Sequence, residues 1–168
     1  QDKYITITTN HTPRIIERVQ SGKATLGLCA GLLPPHHGLM TFHLFDEPFY
    51  IVSKQPLTAL PPLVITNDMT NPANSYQLSV LEKFGIKPLM EMDAYTAAAQ
   101  LALGGTGPAL IPLSIVKTLN IEPQYLYSFP ELAGLIRPIH ICVRPNSYQS
   151  PRVKILIESI VDAVPKAV

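Results

Sequence analysis

The stretch YITITTNHTPRIIERVQSGKATLGLCA, residues 4–30, decides the fold. Its opening, Tyr4-Ile5-Thr6-Ile7-Thr8-Thr9, is rich in β-branched residues and reads as a strand. Thr12 and Pro13 then mark a helix start, with a hydroxyl at the cap and a proline at the first helical position, where its missing N–H costs nothing. That helix is expected to end at Gly22. Thr25-Leu26-Gly27-Leu28-Cys29-Ala30 follows as an uninterrupted apolar run, the pattern of a buried parallel strand. Strand, helix and strand in so short a span form a βαβ unit.

Working outward, residues 31–38 form a loop of Gly, Pro and His, and residues 40–44 and 49–53 read as two further strands. Pro56, Pro61 and Pro62 crowd the next segment, and a second βαβ pattern begins directly after them. It predicts a strand at 63–66, a helix at 74–84 with Asn or Ser caps, a strand at 88–92, a helix at 95–103 stopped by Gly104-Gly105, and a strand at 108–111. A short helix at 113–119, a strand at 124–128 and a long strand at 135–143, broken by Pro138, follow. Ser150 and Pro151 open the last helix, where Val153, Leu156, Ile157, Ile160, Val161 and Val164 make the i, i+3, i+4, i+7 stripe of a helix lying flat on a sheet. The expectation is an α/β fold of two lobes, with residues 1–57 and 134–168 in lobe one and 58–133 in lobe two.

Composition excludes several classes. Of the 168 residues, 46% are hydrophobic and 15% charged, which rules out a disordered acidic or basic tail. The net charge of +1 is spread along the chain, without the basic footprint that neutralises phosphates, so this segment is not expected to bind DNA alone. No apolar run approaches the roughly 20 residues of a membrane span. Cys29 and Cys142 each sit in an apolar strand-like run, where a free thiol packs as a small hydrophobe and points to a reducing, cytoplasmic setting.

Four segments together resemble the effector-binding domain of LysR-type transcriptional regulators. Val19-Gln20-Ser21-Gly22-Lys23-Ala24-Thr25-Leu26-Gly27-Leu28 is similar to the family's leu-x-x-gly-x-x-asp-leu-gly-ile segment, with Thr25 where Asp is usual. Phe45 to Ser53, followed by Gln55-Pro56-Leu57, looks like its crossing strand, with Gln55 where His is usual. Tyr95 to Pro112 resembles its leu-val-x-x-gly-x-gly segment, and residues 139–144 with the terminal helix resemble its closing strand and helix. The resemblance implies two Rossmann-like lobes of the type 2 periplasmic-binding-protein kind joined by two crossing strands. It also implies that a winged helix-turn-helix, a linker helix and the first strand and helix of lobe one precede Gln1 in family members. That first strand would lie between the strands at 4–9 and 25–30.

Candidate binding residues lie where strand ends meet helix starts, because helix N-termini offer unpaired N–H groups and a partial positive charge. Asn10, His11 and Thr12 form one such start, and Asn71, Asn74 and Ser75 another. By the resemblance both face the interlobe cleft, while as residues they are also ordinary helix caps. Gly31 follows a strand at its carboxyl end, and Thr96 opens a helix that Asp93 caps. The expected ligand is a small polar or anionic molecule, since facing caps are present and no cleft arginine is evident. No metal site is expected. His36 and His37 are adjacent and point apart, and His11, His43 and His140 are dispersed. No cofactor is expected, because Gly104-Gly105-Thr106-Gly107 follows its helix rather than opening one. No nucleophile elbow or Cys/His arrangement supports catalysis, and Asp46-Glu47 reads as a strand edge.

The resemblance also sets Cys29 and Cys142 on neighbouring strands, which leaves two readings, inert core thiols or a redox disulfide. Burial favours the first, since it disfavours the thiolate. In sum the resemblance implies a non-enzymatic bacterial ligand sensor that shifts between lobe arrangements, works as a homodimer or tetramer, and reaches DNA only through the missing N-terminal head. The alternative is an extracytoplasmic solute-binding protein, or an enzyme, on the same two-lobed fold.

Overall fold

The computed structural model describes residues 5–9 and 12–164. The chain forms two units, residues 1–46 with 138–168, and residues 47–137. It passes from one to the other twice, inside strand β3 (Met40–Val52) and inside strand β8 (Ile136–Val143). The proline-rich segment 56–62 lies within the second unit.

Unit one contains β1 (Ile7–Thr9), α1 (Thr12–Gln20), β2 (Leu26–Ala30), most of β8, α5 (Pro145–Tyr148) and α6 (Pro151–Ala163). β1 pairs with β2 in parallel and β2 with β8 antiparallel. The period of two along each strand sorts the side chains into two apolar layers. Cys29 and Cys142 pack with Ile15, Ile16 and Val19 of α1. Leu26, Ile141 and Val143 pack with Val153 and Ile157 of α6. The stripe read from the sequence is therefore the buried face of α6, while Ile155, off the stripe, is 62% exposed. Ser150 stands at its cap position without a side-chain hydrogen bond.

Unit two contains β4 (Leu63–Asn67), α2 (Gln77–Lys83), β5 (Lys87–Met92), α3 (Tyr95–Leu103), β6 (Ala109–Pro112), α4 (Leu113–Thr118) and β7 (Leu126–Tyr127), with the second part of β3. Its parallel strands run β5, β4, β6, and β3 joins antiparallel to β6 and β7. All four residues of β6 are buried, as a strand covered on both faces requires. Ala98, Ala99 and Ala102 of α3 are fully buried, and their small side chains let the helix lie close to the sheet. Pro88 has no N–H to give, and just beyond it the β4–β5 register slips, pairing Ile65 with Met90 and leaving Leu89 out.

Several expectations change. The strands expected at 40–44 and 49–53 are one strand, because Glu47 is not at an edge but buried in mid-strand with its charge satisfied. Pro138 does not break β8, since the ladder to β2 begins one residue later, at Ile139 opposite Ala30. The helix expected at 74–84 is a 3-10 turn (Pro72–Asn74) followed by the shorter α2. The strand expected at 124–128 is a 3-10 turn (Pro123–Tyr125) and the two-residue β7. β1 and β2 are direct neighbours, with Ile7 opposite Leu26 and no strand between them. The N–H groups of Thr25 and Leu26 both donate to the Thr6 carbonyl, so the two edges satisfy each other.

Gly27 carries a packing requirement. A Cβ there would collide with the Ile15 methyl and press on Val19, so only glycine lets α1 settle on β2. Gly27→Val is expected to lower unfolding free energy by about 1–3 kcal/mol or more. Gly134→Ala, in open space, should change it by less than about 0.5 kcal/mol. Urea denaturation of both variants checks this, and equal midpoints would contradict it.

Candidate functional site

A charged residue inside a sheet needs partners, and Glu47, 1% exposed, has three contacts. The Ser114 backbone N–H donates to its carboxylate at 2.7 Å and the Ser114 hydroxyl at 3.1 Å, so Glu47 caps α4 from another strand. Arg137 Nε lies 2.9 Å from Oε2, the oxygen that also accepts from the Ser114 hydroxyl, in an ion-pair contact rather than an aligned hydrogen bond. The Arg137 guanidinium sits 5.2 Å from the Tyr95 ring centroid. The Tyr95 hydroxyl in turn accepts from Gln77 Nε2 at 2.9 Å. Burial first, and Tyr95 second, push the neighbouring Tyr76 hydroxyl well above the ordinary tyrosine range. Gln77 and Thr66 are fully buried, and Gln77 Oε1 and Thr66 Oγ1 have no hydrogen-bond partner among the described residues.

Tyr95 is the first residue of α3, whose cap is Ala94 with no side-chain hydrogen bond. Asp93, expected as the cap, does not serve. The cap residue of α3 therefore offers its first-turn N–H groups no side-chain acceptor, and the Arg137 cation stands over the ring of Tyr95, the first residue of that turn. Thr96, in that turn, is exposed.

The other candidates are committed locally. Asn10 and His11 lie outside the described residues. Thr12 is buried inside α1 rather than capping it, and its hydroxyl donates to the Ala30 carbonyl at 2.6 Å. The Gly31 N–H donates to the Pro138 carbonyl at 2.9 Å, and the residue adopts a φ of 83°. Asn71 caps the 3-10 turn by accepting from the Ala73 N–H, and Asn74 Nδ2 holds the Asp68 carbonyl at 2.8 Å. The Ser75 hydroxyl donates to the Pro72 carbonyl at 2.9 Å, and α2 starts after Tyr76. Ser75 is thus a turn residue and not the cap of α2. Sequence reasoning missed Glu47, Gln77, Tyr95 and Arg137. The one signal was a glutamate within an otherwise strand-like run.

Unit one holds a second polar cluster. His43 Nε2 lies 2.8 Å from Asp46 Oδ1, and the His43 and His140 rings meet edge-on at 5.2 Å. Burial first, then the nearby His43, lowers the His140 pKa below its ordinary 6.5, with Asp46 opposing. No group of three or more His, Cys, Asp or Glu among the described residues is arranged to hold a metal ion. Because folding favours neutral His140, the unfolded chain binds its proton more readily as pH falls through about 6.5, and stability is lost there. Denaturant midpoints taken from about pH 7.5 to about pH 5.5 should fall more for the native chain than for His140→Gln. Equal falls would contradict the assignment.

Comparison with known proteins agrees with this fold. A family model described as the LysR substrate binding domain matches residues 4–165. The chain is 66% identical, over all 168 residues, to an uncharacterized HTH-type transcriptional regulator of Vibrio cholerae serotype O1, and spans 59% of that relative's length. Among solved structures, the effector binding domain of QuiR in complex with shikimate matches with a TM-score of 0.71 at 17% identity, over 91% of this chain and 78% of that one. CbnR, a LysR family transcriptional regulator, matches with 0.69 at 16% identity, over 95% of this chain and 59% of that one. The α/β fold is the periplasmic-binding-protein-like one of these effector domains, and the chain belongs to the LysR substrate-binding domain family.

Proposed function

We propose that this domain senses a small polar or anionic molecule and, within a longer regulator, controls DNA binding by an N-terminal helix-turn-helix. The observation that carries the reading is the start of α3, whose cap residue makes no side-chain hydrogen bond, with Arg137 over the ring of its first residue, Tyr95. Helix N–H groups and a guanidinium held in one place by Glu47 and Tyr95 suit an anion, and a carboxylate above all. No cleft arginine was evident in the sequence; on this reading Arg137 supplies the cation, which favours the anionic alternative over the merely polar one. Thr96 and Arg137 are the foremost ligand contacts. Thr12, Gly31, Asn71, Asn74 and Ser75 rank second, since each already holds nearby backbone.

Ligand binding would act by preferring one arrangement of the units, and only the difference in affinity between arrangements does work. Homodimers or tetramers of a cytoplasmic regulator are the setting proposed for it. No helix among the described residues is long and apolar enough to cross a membrane. A solute-binding protein or an enzyme on the same fold is disfavoured by family membership.

Shikimate, the ligand of the QuiR domain, is a hydroxylated carboxylate and a natural first probe. In a thermal-shift series with shikimate, benzoate and succinate, at least one is expected to raise Tm, by about 2.7 kcal/mol of stabilisation at a hundred times its Kd. Arg137→Lys keeps a cation for Glu47 but removes the planar fork, and should weaken binding about tenfold or more. Stabilisation by neutral apolar compounds alone would overturn the anion reading.

A further inference from the structure

The same alternation that builds the α1 face of unit one brings its two cysteines together. β2 and β8 run antiparallel, with Cys29 opposite His140 and Cys142 opposite Gly27, so the two cysteines are diagonal neighbours on one face. Gly27 has no side chain to fill the space across from Cys142, and the Cys142 sulfur lies 2.9 Å from the Cys29 sulfur. Both are free thiols and both are fully buried, under Ile15, Ile16 and Val19. A disulfide holds its sulfurs at about 2.05 Å, so the two sulfurs must approach by under about 1 Å to bond.

We propose that Cys29 and Cys142 form a reversible disulfide, a modification site that latches β2 to β8 within unit one. The hydrogen bond between the two sulfurs, followed by burial, raises the Cys29 thiol far above the ordinary range. The oxidant is a hydroperoxide. The thiolate of one cysteine attacks its terminal oxygen, the O–O bond breaks, and the alkoxide takes a proton and leaves as the alcohol or water. The sulfenic acid so formed is attacked by the sulfur of the other cysteine, giving the S–S bond and releasing water, with that thiol's proton carried off on it. Two thiols are oxidised and one peroxide is reduced. Local opening of the surrounding apolar layer gives the oxidant, and later a reducing thiol, access to the pair.

The latch ends one residue before Ala30, whose carbonyl holds the Thr12 hydroxyl, and two before Gly31, which holds the Pro138 carbonyl. Its closure would stiffen the end of β2 on which those contacts depend. This proposal stands whether or not the domain binds an anion.

The test uses the whole chain, treated with tert-butyl hydroperoxide or left reduced, then unfolded, alkylated with N-ethylmaleimide and weighed intact. The reduced chain should take two alkyl groups. The oxidised chain should take none and weigh less by two hydrogens, and dithiothreitol should restore both sites. Cys29→Ser and Cys142→Ser should each be weighed as a single chain with no disulfide-linked partner, and neither should show the loss of two hydrogens. Two alkyl groups after oxidant, added oxygen on either sulfur as the end product in the native sequence, or disulfide-linked pairs of chains would each overturn the proposal. As a second readout, the oxidised native chain should unfold at higher urea than the reduced one, and an unchanged midpoint would count against the latch.

Discussion

A buried carboxylate in the middle of a strand is the constraint on which unit two depends. Glu47 is the first residue of that unit on one crossing strand, and Arg137 is the last on the other. Removing a charge from water costs several kcal/mol, and the expense is met only when partners are close and well placed. Ser114 supplies an N–H and a hydroxyl, and Arg137 supplies the opposite charge. One carboxylate thereby ties β3, β8 and the start of α4 together. The same arginine lies over the ring of Tyr95, the first residue of α3. Glu47, Ser114, Arg137, Tyr95 and Gln77 thus form one connected polar set within unit two.

That connection gives the sensing proposal its physical content. An uncapped helix start is common, and family membership alone does not select a ligand. Here the helix start is paired with a cation whose position is held from two sides, by Glu47 and by the Tyr95 ring. Preorganised donors of this kind bind anions without ordering flexible side chains first. Unit one differs. Its strand ends are occupied by their own contacts, and its distinctive chemistry is the sulfur pair beneath α1.

Local rules were readable in the sequence where local rules decide. The bounds of α3 follow from Tyr95 to the paired glycines, β1 and β2 follow from β-branched and apolar runs, α1 from a proline in its first turn although Thr12 does not cap it, and the α6 stripe follows from its spacing. Failures came where a distant partner overrides a local signal. Asp46-Glu47-Pro48 looks like a strand end until Ser114, 67 positions away, and Arg137 are known to satisfy Glu47. Pro138 looks like a break until the ladder is seen to start beyond it. Ser75 has the chemistry of a helix cap, yet the turn ahead of it captures its hydroxyl. The same limit applies to Cys29 and Cys142, 113 positions apart, whose closeness followed from the family resemblance and not from spacing. Arg137 was passed over for this reason too, because it gains its place from Glu47 and Tyr95.

The measurement that tests this account most directly is a double-mutant cycle on Glu47→Gln and Arg137→Gln, read by urea denaturation of the single and double variants. If the pair is the clasp of unit two, the two changes will be strongly non-additive, with a coupling of about 1.5 kcal/mol or more. Effects that add to within about 0.5 kcal/mol would show that Glu47 and Arg137 act independently, and the account would fail.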